Sequence, residues 1–215
     1  MAAKVTQRPK SPPRSRRSDG QRSRAAILRE AARLATVEGL DGLSLSRLAE
    51  AVGMSKSGLF AHFGSKEELQ LATIEAASAI FEDLVVEPAA EATAGLPRLR
   101  AYTELFLAHV EEGVFPGGCF FISAVGELDA RPGPVRDDAV AYSQRWLALL
   151  ADEVAAAQAA GELDPAADPP QIAFELHAFM VLGNMQYVAS ASPAALDAVR
   201  RAIDTRLAGL AEPQS

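Results

Sequence analysis

A single cysteine, Cys119, stands in 215 residues, so an internal disulfide framework is excluded. The apolar patch around Phe179 to Leu182 is short and flanked by polar groups, and no run approaches the roughly 18 apolar residues that a membrane-spanning helix needs. The first thirty residues lack the apolar stretch of a secretory signal. These absences predict a soluble, cytoplasmic protein without a membrane partner. Equally absent are a Gly-x-Ser-x-Gly elbow, a phosphate-cradling Gly-rich loop ending in Lys-Ser/Thr, a His-Glu-x-x-His pair and any metal-spaced Cys/His cluster. The reading is therefore not an enzyme, with no catalytic residue, no cofactor and no metal. His109 and His177 stand alone in the sequence and read as satisfying local hydrogen bonds.

What the chain has is apolar mass, 49% of its residues, enough to bury a core without disulfide or metal staples. Its net charge of -7 is unevenly spread. Residues 1–24 carry eight Lys and Arg against the single Asp19, and residues 25–71 five against six Asp and Glu. Residues 72–215 carry eight against twenty-one. A basic start on an acidic body fits a protein that meets phosphate with one end, and fits equally a basic disordered tail on an acidic helical protein.

Helical periodicity runs through the chain with no strand pattern between, which predicts an all-α fold of about nine helices. The first twenty residues, rich in Pro, Ser and Arg, read as a disordered basic tail. From Gln21, Ile27, Ala31, Leu34 and Ala35 recur at helical spacing until Gly39. Ser44 caps a second helix carrying Leu45, Leu48, Ala49 and Val52, and Ser55 caps a short third one through about His62. Ser65 and Glu68 form a capping box opening a longer helix with Leu69, Ala72, Ala76, Ile80 and Leu84, which Pro88 ends. Further helices read at Pro97 to about Glu112, Cys119 to about Asp129 and Pro134 to about Ala160. Two more start at Asp168-Pro169-Pro170-Gln171 and Ser192-Pro193. The domains expected are 1–20 (tail), 21–66 (helix-turn-helix) and 67–215 (helical ligand-binding and dimerisation).

Two short helices joined by Gly53-Met54-Ser55 make a helix-turn-helix, in which the second helix lies in the major groove and the first braces it. The stretch from Gly53 through Ser55-Lys56-Ser57-Gly58-Leu59-Phe60-Ala61-His62-Phe63-Gly64-Ser65-Lys66 to Leu69 resembles the DNA-binding signature of the TetR family of transcriptional regulators. The resemblance extends back through Ser44, Gly39 and Ile27. More loosely, Gly117-Gly118-Cys119-Phe120 and Glu127-Leu128-Asp129-Ala130-Arg131-Pro132-Gly133 look like one of its C-terminal subfamilies.

The resemblance implies that Ser44 meets a phosphate, that Ser55, Lys56 and Ser57 open the recognition helix, and that His62 and Lys66 contact phosphate. Lys56 and Ser57 are the base-edge readers this chemistry allows, since Lys donates to guanine O6 and N7 and Ser serves donors or acceptors. Gly58 and Phe60 stand where the family often has Thr and Tyr. Gly58 reads either as close approach to DNA or as tolerance in a short helix. Phe60 reads either as a contact to a sugar or thymine methyl or as a plug between helices; Phe63 reads as core. Arg14, Arg16 and Arg17 of the tail either enter a minor groove or add sequence-independent attraction, the second being preferred.

Helix 169–189 is apolar on two faces, with Ile172, Leu176, Phe179 and Met180 on one and Phe174, Ala178, Val181 and Met185 on the other, so it should be buried on both. The next helix carries one stripe of Leu196, Val199, Ile203, Leu207 and Leu210. The resemblance implies that these two helices pair with their mates in a homodimer. Gly183 marks close helix approach or a loosened turn. The expected effector pocket, lined by Tyr102, Phe106, Phe115, Cys119, Phe120, Trp146, Met180 and Asn184, would take a small, largely apolar molecule. Phe121 belongs with these aromatics. Cys119 reads as a small buried hydrophobe or, less readily, as a redox sensor. The function expected is a repressor that leaves a palindromic double-stranded operator when its effector binds. The alternatives are a helical ligand-binding module whose hairpin no longer binds DNA specifically, and an activator or corepressor-dependent regulator.

Overall fold

The computed structural model describes residues 15–128 and 130–211. It is all-helical among them: α1 (Ser15–Glu38), α2 (Leu45–Ala51), α3 (Lys56–Phe60), α4 (Lys66–Phe81), α5 (Glu87–Ala90), α6 (Leu96–Glu111), α7 (Phe120–Leu128), α8 (Pro134–Ala159), α9 (Pro169–Ser190) and α10 (Pro193–Ala208). A π-helical segment, Glu82–Val86, joins α4 to α5 without a break, so the ten α-helices form nine rods. None of the described helices is long and apolar enough to cross a membrane. The tail expected over residues 1–20 falls mostly outside the described residues, as does Arg14; where it does not, α1 already begins at Ser15.

Serine hydroxyls start the three helices that matter most. Ser44 accepts from the backbone N–H of Arg47 at 3.2 Å, Ser55 from that of Gly58 at 3.1 Å and Ser65 from that of Glu68 at 3.0 Å. Each such cap is worth about 1 kcal/mol. Glu68 does not close the box on Ser65: its Oε2 accepts from the N–H of Gly64, one residue earlier, at 2.9 Å. The device expected at Asp168 is also unmade. Asp168 makes no side-chain cap, and Gln171 donates forward to Glu175 at 3.0 Å; the prolines of the first turn, with φ already helical, serve instead.

Pro88 does not end the helix that precedes it. The π turn shifts the bonding so that the N–H of Glu87 reaches the carbonyl of Glu82, and the proline lies in the first turn of the renewed α-helix, where a missing donor costs nothing.

Ile27, Ala31, Leu48, Leu59, Phe63 and Leu69 bury one another where α1, α2, α3 and α4 meet. The larger body packs α9 against α8 and α10, and α8 against α4, α6 and α7. The stripe of α10, Leu196 through Leu207, is buried, with Leu210 beyond its end. A Cβ at Gly183 would collide with Val199 Cγ2, so this glycine marks close approach of α9 to α10. On α9 one face is buried as expected through Ile172, Leu176 and Met180, but Phe174 (61% exposed), Leu182, Met185 and Val188 face outward.

Candidate DNA interface and effector cavity

At the helix-turn-helix, Lys56, Ser57 and Phe60 line one open hollow on the outer side of α3. The hydroxyls of Ser55 and Ser57 lie 3.3 Å apart. Ser44 and Ser55 each accept the capping N–H through one oxygen lone pair, so the cap does not consume the hydroxyl proton. Phe60 is 51% exposed, which rules out the helix plug; the plug is Phe63, buried beneath the Arg24 guanidinium at 4.6 Å. Gly58 has a third explanation. A Cβ there would lie 3.0 Å from Ser55 Oγ and crowd the cap that starts α3. His62 is half-buried, its carbonyl accepting from Arg24 at 3.4 Å.

Lys66 is engaged within the protein. Its Nζ donates to the Asp41 carboxylate at 2.9 Å, and Arg131 binds the other oxygen of that carboxylate at 2.6 Å. The two cations hold the Asp41 carboxyl below its ordinary range, Lys66 first and Arg131 second. Arg131 follows α7, so this cluster bridges the helix-turn-helix to the larger body. Two further bonds act at the same place. Glu127 accepts from the N–H groups of Leu40 at 2.6 Å and Asp41 at 2.9 Å, and Gly117 N–H donates to the Thr36 hydroxyl at 3.1 Å. Both C-terminal stretches singled out in the sequence therefore converge on the end of α1, a relation that spacing along the chain carries no sign of.

Inside the larger body lies a cavity of about 220 Å³ between α4, α6, α7, α8 and α9. Phe106, Cys119 and Trp146 of the expected set line it, as does Phe121. Tyr102, Phe115, Phe120, Met180 and Asn184 are buried but do not line it. Asn184 has a structural task instead, accepting from the N–H of Cys119 at 2.8 Å. The wall also includes Phe81, Ile122, Val125, Gly126, Tyr142 and Ser143, none of which was singled out for it. Phe81 is the centre of the aromatic cluster, edge-on to Phe106, His109, Phe121, Tyr142 and Trp146. Its place at the last position of α4, where it counts as an ordinary apolar residue, hid it.

Tyr142 stacks on Phe121 at 3.9 Å and donates its hydroxyl to Glu82 at 2.9 Å. Glu82 is the first residue of the π turn, a kind of irregularity frequent at functional positions. Burial, reinforced by Glu82, pushes the Tyr142 phenol far above its ordinary value, so it stays protonated. Burial also pushes the Cys119 thiol up to about 11. A thiol so raised is neutral at pH 7 and lacks the thiolate that redox sensing needs, which favours the small-hydrophobe reading. Three buried ring nitrogens, His109 Nδ1, Trp146 Nε1 and His177 Nδ1, have no hydrogen-bond partner among the described residues. The local hydrogen bonds expected to satisfy the two histidines are thus missing at Nδ1.

Residues 27–73 match the family model described as bacterial regulatory proteins, tetR family, and residues 95–203 match that described as tetracyclin repressor-like, C-terminal domain. Among curated proteins, the chain is similar to the transcriptional regulator AcuR of Cereibacter sphaeroides, 27% identical over 160 residues that span 72% of this chain and 71% of the relative. Among solved structures, a TetR transcriptional regulator from Chloroflexus aurantiacus J-10-FL superposes with a TM-score of 0.83 at 24% identity, covering 90% of this chain and 98% of that one. AibR in complex with isovaleryl coenzyme A and operator DNA superposes with a TM-score of 0.68 at 24% identity, covering 89% and 99%. With the second family model spanning half of its length and the first covering the helix-turn-helix, the chain belongs to the TetR family of DNA-binding transcriptional regulators and is not an enzyme.

Proposed function

We propose that the protein is a dimeric repressor that releases a palindromic operator when a small, largely apolar effector enters the cavity. The observation that carries the release step is the double duty of α7. Phe121, Ile122, Val125 and Gly126 line the cavity, and the next residue, Glu127, holds the Leu40–Asp41 turn at the end of α1. An effector that shifts α7 thereby shifts the helix-turn-helix, and operator affinity falls by the coupling energy, typically about 1–3 kcal/mol.

In this reading Lys56 and Ser57 read base edges, Phe60 packs on a sugar or thymine methyl and Gly58 lets α3 start tightly beneath them. Ser44, Ser55, His62 and Lys66 meet phosphates, with Lys66 exchanging Asp41 for the duplex. The exposed apolar face of α9, with Phe174, Leu182 and Met185, supports a homodimer. Two recognition helices about 34 Å apart then read two half-sites.

The test is binding to DNA upstream of the protein's own gene across a salt series, with Lys56→Ala as control. Tight binding to one palindrome, weakened by salt and by the substitution, supports the repressor. Affinity no higher than for random DNA would shift the reading to a ligand-binding module with a degenerate hairpin. Tighter operator binding in the presence of effector would shift it to a corepressor or activator scheme.

A further inference from the structure

The cavity wall carries no charge. It is built from Phe81, Phe106, Phe121, Tyr142 and Trp146, from aliphatic Ile122, Val125 and Val181, and from Gly126, Cys119, Ser143 and His177. Burial lowers the basicity of His177, so its ring is neutral at pH 7. One carboxylate stands immediately behind the wall, Glu82 on the Tyr142 hydroxyl. One cation, Arg145, lies against a wall residue, 5.0 Å from the Tyr142 ring on which Phe121 also stacks. A ligand carboxylate would therefore lose its water without gaining a counter-ion inside the cavity, a cost that burial of an unpaired charge always carries.

Size and shape restrict the occupant further. At about 220 Å³ the cavity lies above the roughly 150 Å³ that accommodates benzene in an engineered core and below the roughly 300 Å³ at which drug-sized sites begin. Aromatic walls favour a flat partner, by stacking or edge contact. The polar lining is sparse. Tyr142 commits its proton to Glu82, and Trp146 Nε1 and His177 Nδ1, though unpartnered among the described residues, are buried with no accessible surface, which leaves the partly exposed Ser143 hydroxyl as the polar group within reach of an occupant.

We propose, building on the effector reading above, that this cavity takes an uncharged, planar molecule of one or two rings bearing a single hydrogen-bonding oxygen held by Ser143. The same wall rejects carboxylates and coenzyme A thioesters, which sets this chain apart from the fold neighbour solved with isovaleryl coenzyme A.

The only tryptophan of the chain, Trp146, is part of the wall, so its fluorescence reports occupancy without a label. The full-length protein is titrated with acetophenone and 1-tetralone, neutral ketones of one ring and of two, and with the matched anions benzoate and 1-naphthoate. The ketones should perturb Trp146 emission and raise the melting temperature with dissociation constants below about 1 mM, and the anions should bind at least about 100-fold more weakly. Ser143→Ala should weaken acetophenone several-fold while leaving ethylbenzene, which lacks the oxygen, unaffected. Gly126→Phe, at the exposed rim where an added Cβ meets no atom within 4 Å, should abolish the ketone response in a protein that still melts cooperatively. Anions binding as well as ketones would overturn the proposal and implicate Arg145, and so would a failure of both ketones to bind. The readout is occupancy alone. Ketones that bind without releasing operator would sink the release mechanism and leave the cavity assignment standing; release by a charged molecule, with no ketone binding, would do the reverse.

Discussion

Glu127 and Asp41, far apart in sequence, are joined through the backbone: the Glu127 carboxylate takes the N–H of Asp41 at 2.9 Å and that of the preceding Leu40 at 2.6 Å. The reason lies in α1. The helix ends at Gly39, whose φ of +83° suits glycine, and the chain that leaves this turn presents donors with no helical partner. Gln70, buried on α4, completes the arrangement by donating to the Leu40 carbonyl at 2.8 Å.

Glu127→Ala should therefore cost about 1 kcal/mol of stability, since two donors lose a charged acceptor at a partly solvated site. Its larger effect should fall on coupling. Operator affinity without effector is retained and the effector-induced loss of affinity shrinks. Glu127→Gln should sit between, because its amide accepts from one of the two N–H groups and sets its own donors against the other. Anisotropy titrations of operator with and without effector measure both quantities. An unchanged effector response in Glu127→Ala would show that the signal travels by another route.

Asp41 shares its carboxylate between Lys66 and Arg131, which keeps it ionised down to unusually low pH. Because the folded-state value is depressed, the contribution is present throughout the neutral range and is lost only as pH falls below the ordinary carboxylate value near 3.8. Asp41→Asn should lose that contribution at neutral pH, no more than about 1 kcal/mol for ion pairs this exposed, while freeing Lys66 for phosphate. Binding to all DNA sequences should tighten, because Lys66 no longer has to leave Asp41 to reach a phosphate, while the slope of log affinity against log salt stays near the wild-type value, the same counterion being released by both proteins. Unchanged affinity would mean that Lys66 stays outside the protein–DNA contact.

Elements whose cause is local were legible. The serine caps, the turn at Gly39, the helix-turn-helix spacing and the buried stripe of α10 all follow from residues within a few positions of one another. The lining of the cavity was half legible. Phe106, Cys119, Phe121 and Trp146 belong to it, but Tyr102 and Phe120 look identical in the sequence and face elsewhere, because the side of a helix that meets a void depends on how five helices are stacked. Gly58 was left open because the atom it would crowd, Ser55 Oγ, becomes a neighbour only once the cap has formed. The tie of Glu127 and Arg131 to Asp41 was hidden for the same reason at longer range.

Phe60 stands exposed beside Lys56 and Ser57 and contributes little to the core. Phe60→Ala should change unfolding free energy by no more than about 0.5 kcal/mol, as expected of a surface position. Operator affinity should fall about tenfold, in the range of a lost apolar base or sugar contact. A stability loss of about 3 kcal/mol, the size associated with emptying a core site, would restore the plug reading.

On α9, Leu182 and Met185 lie next to each other on the exposed face with Phe174 and Val188. Leu182→Glu combined with Met185→Glu would bury two unpaired charges in a dimer but none in a monomer. Light scattering of the double variant should give about half the wild-type mass, and palindrome binding should lose its dependence on the second half-site. A dimer unaffected by both charges would move the interface away from this face.

His109 is 3% exposed, edge-on to Phe81 and Phe115, with its Nδ1 unpaired. Burial lowers its pKa to about 4 from an ordinary 6.5. The folded protein thus holds this ring neutral while the unfolded chain protonates it below pH 6.5. Stability is complete above that value and declines as pH falls toward 4, by up to about 3 kcal/mol across the window. The lowered carboxyls of Asp41 and Glu175 act below this range and do not mask it, whereas His177, lowered by its own burial, adds a contribution of the same sign. Chemical denaturation at pH 7 and pH 5 should therefore show a marked loss for the wild type. His109→Leu, which keeps the bulk and removes the titrating ring, should be at least as stable at pH 7 and lose much less on acidification, retaining only the share due to His177. Equal losses in the two proteins would assign the acid sensitivity to His177 or to carboxylates, and would mean that the His109 ring finds a way to carry its proton within the fold.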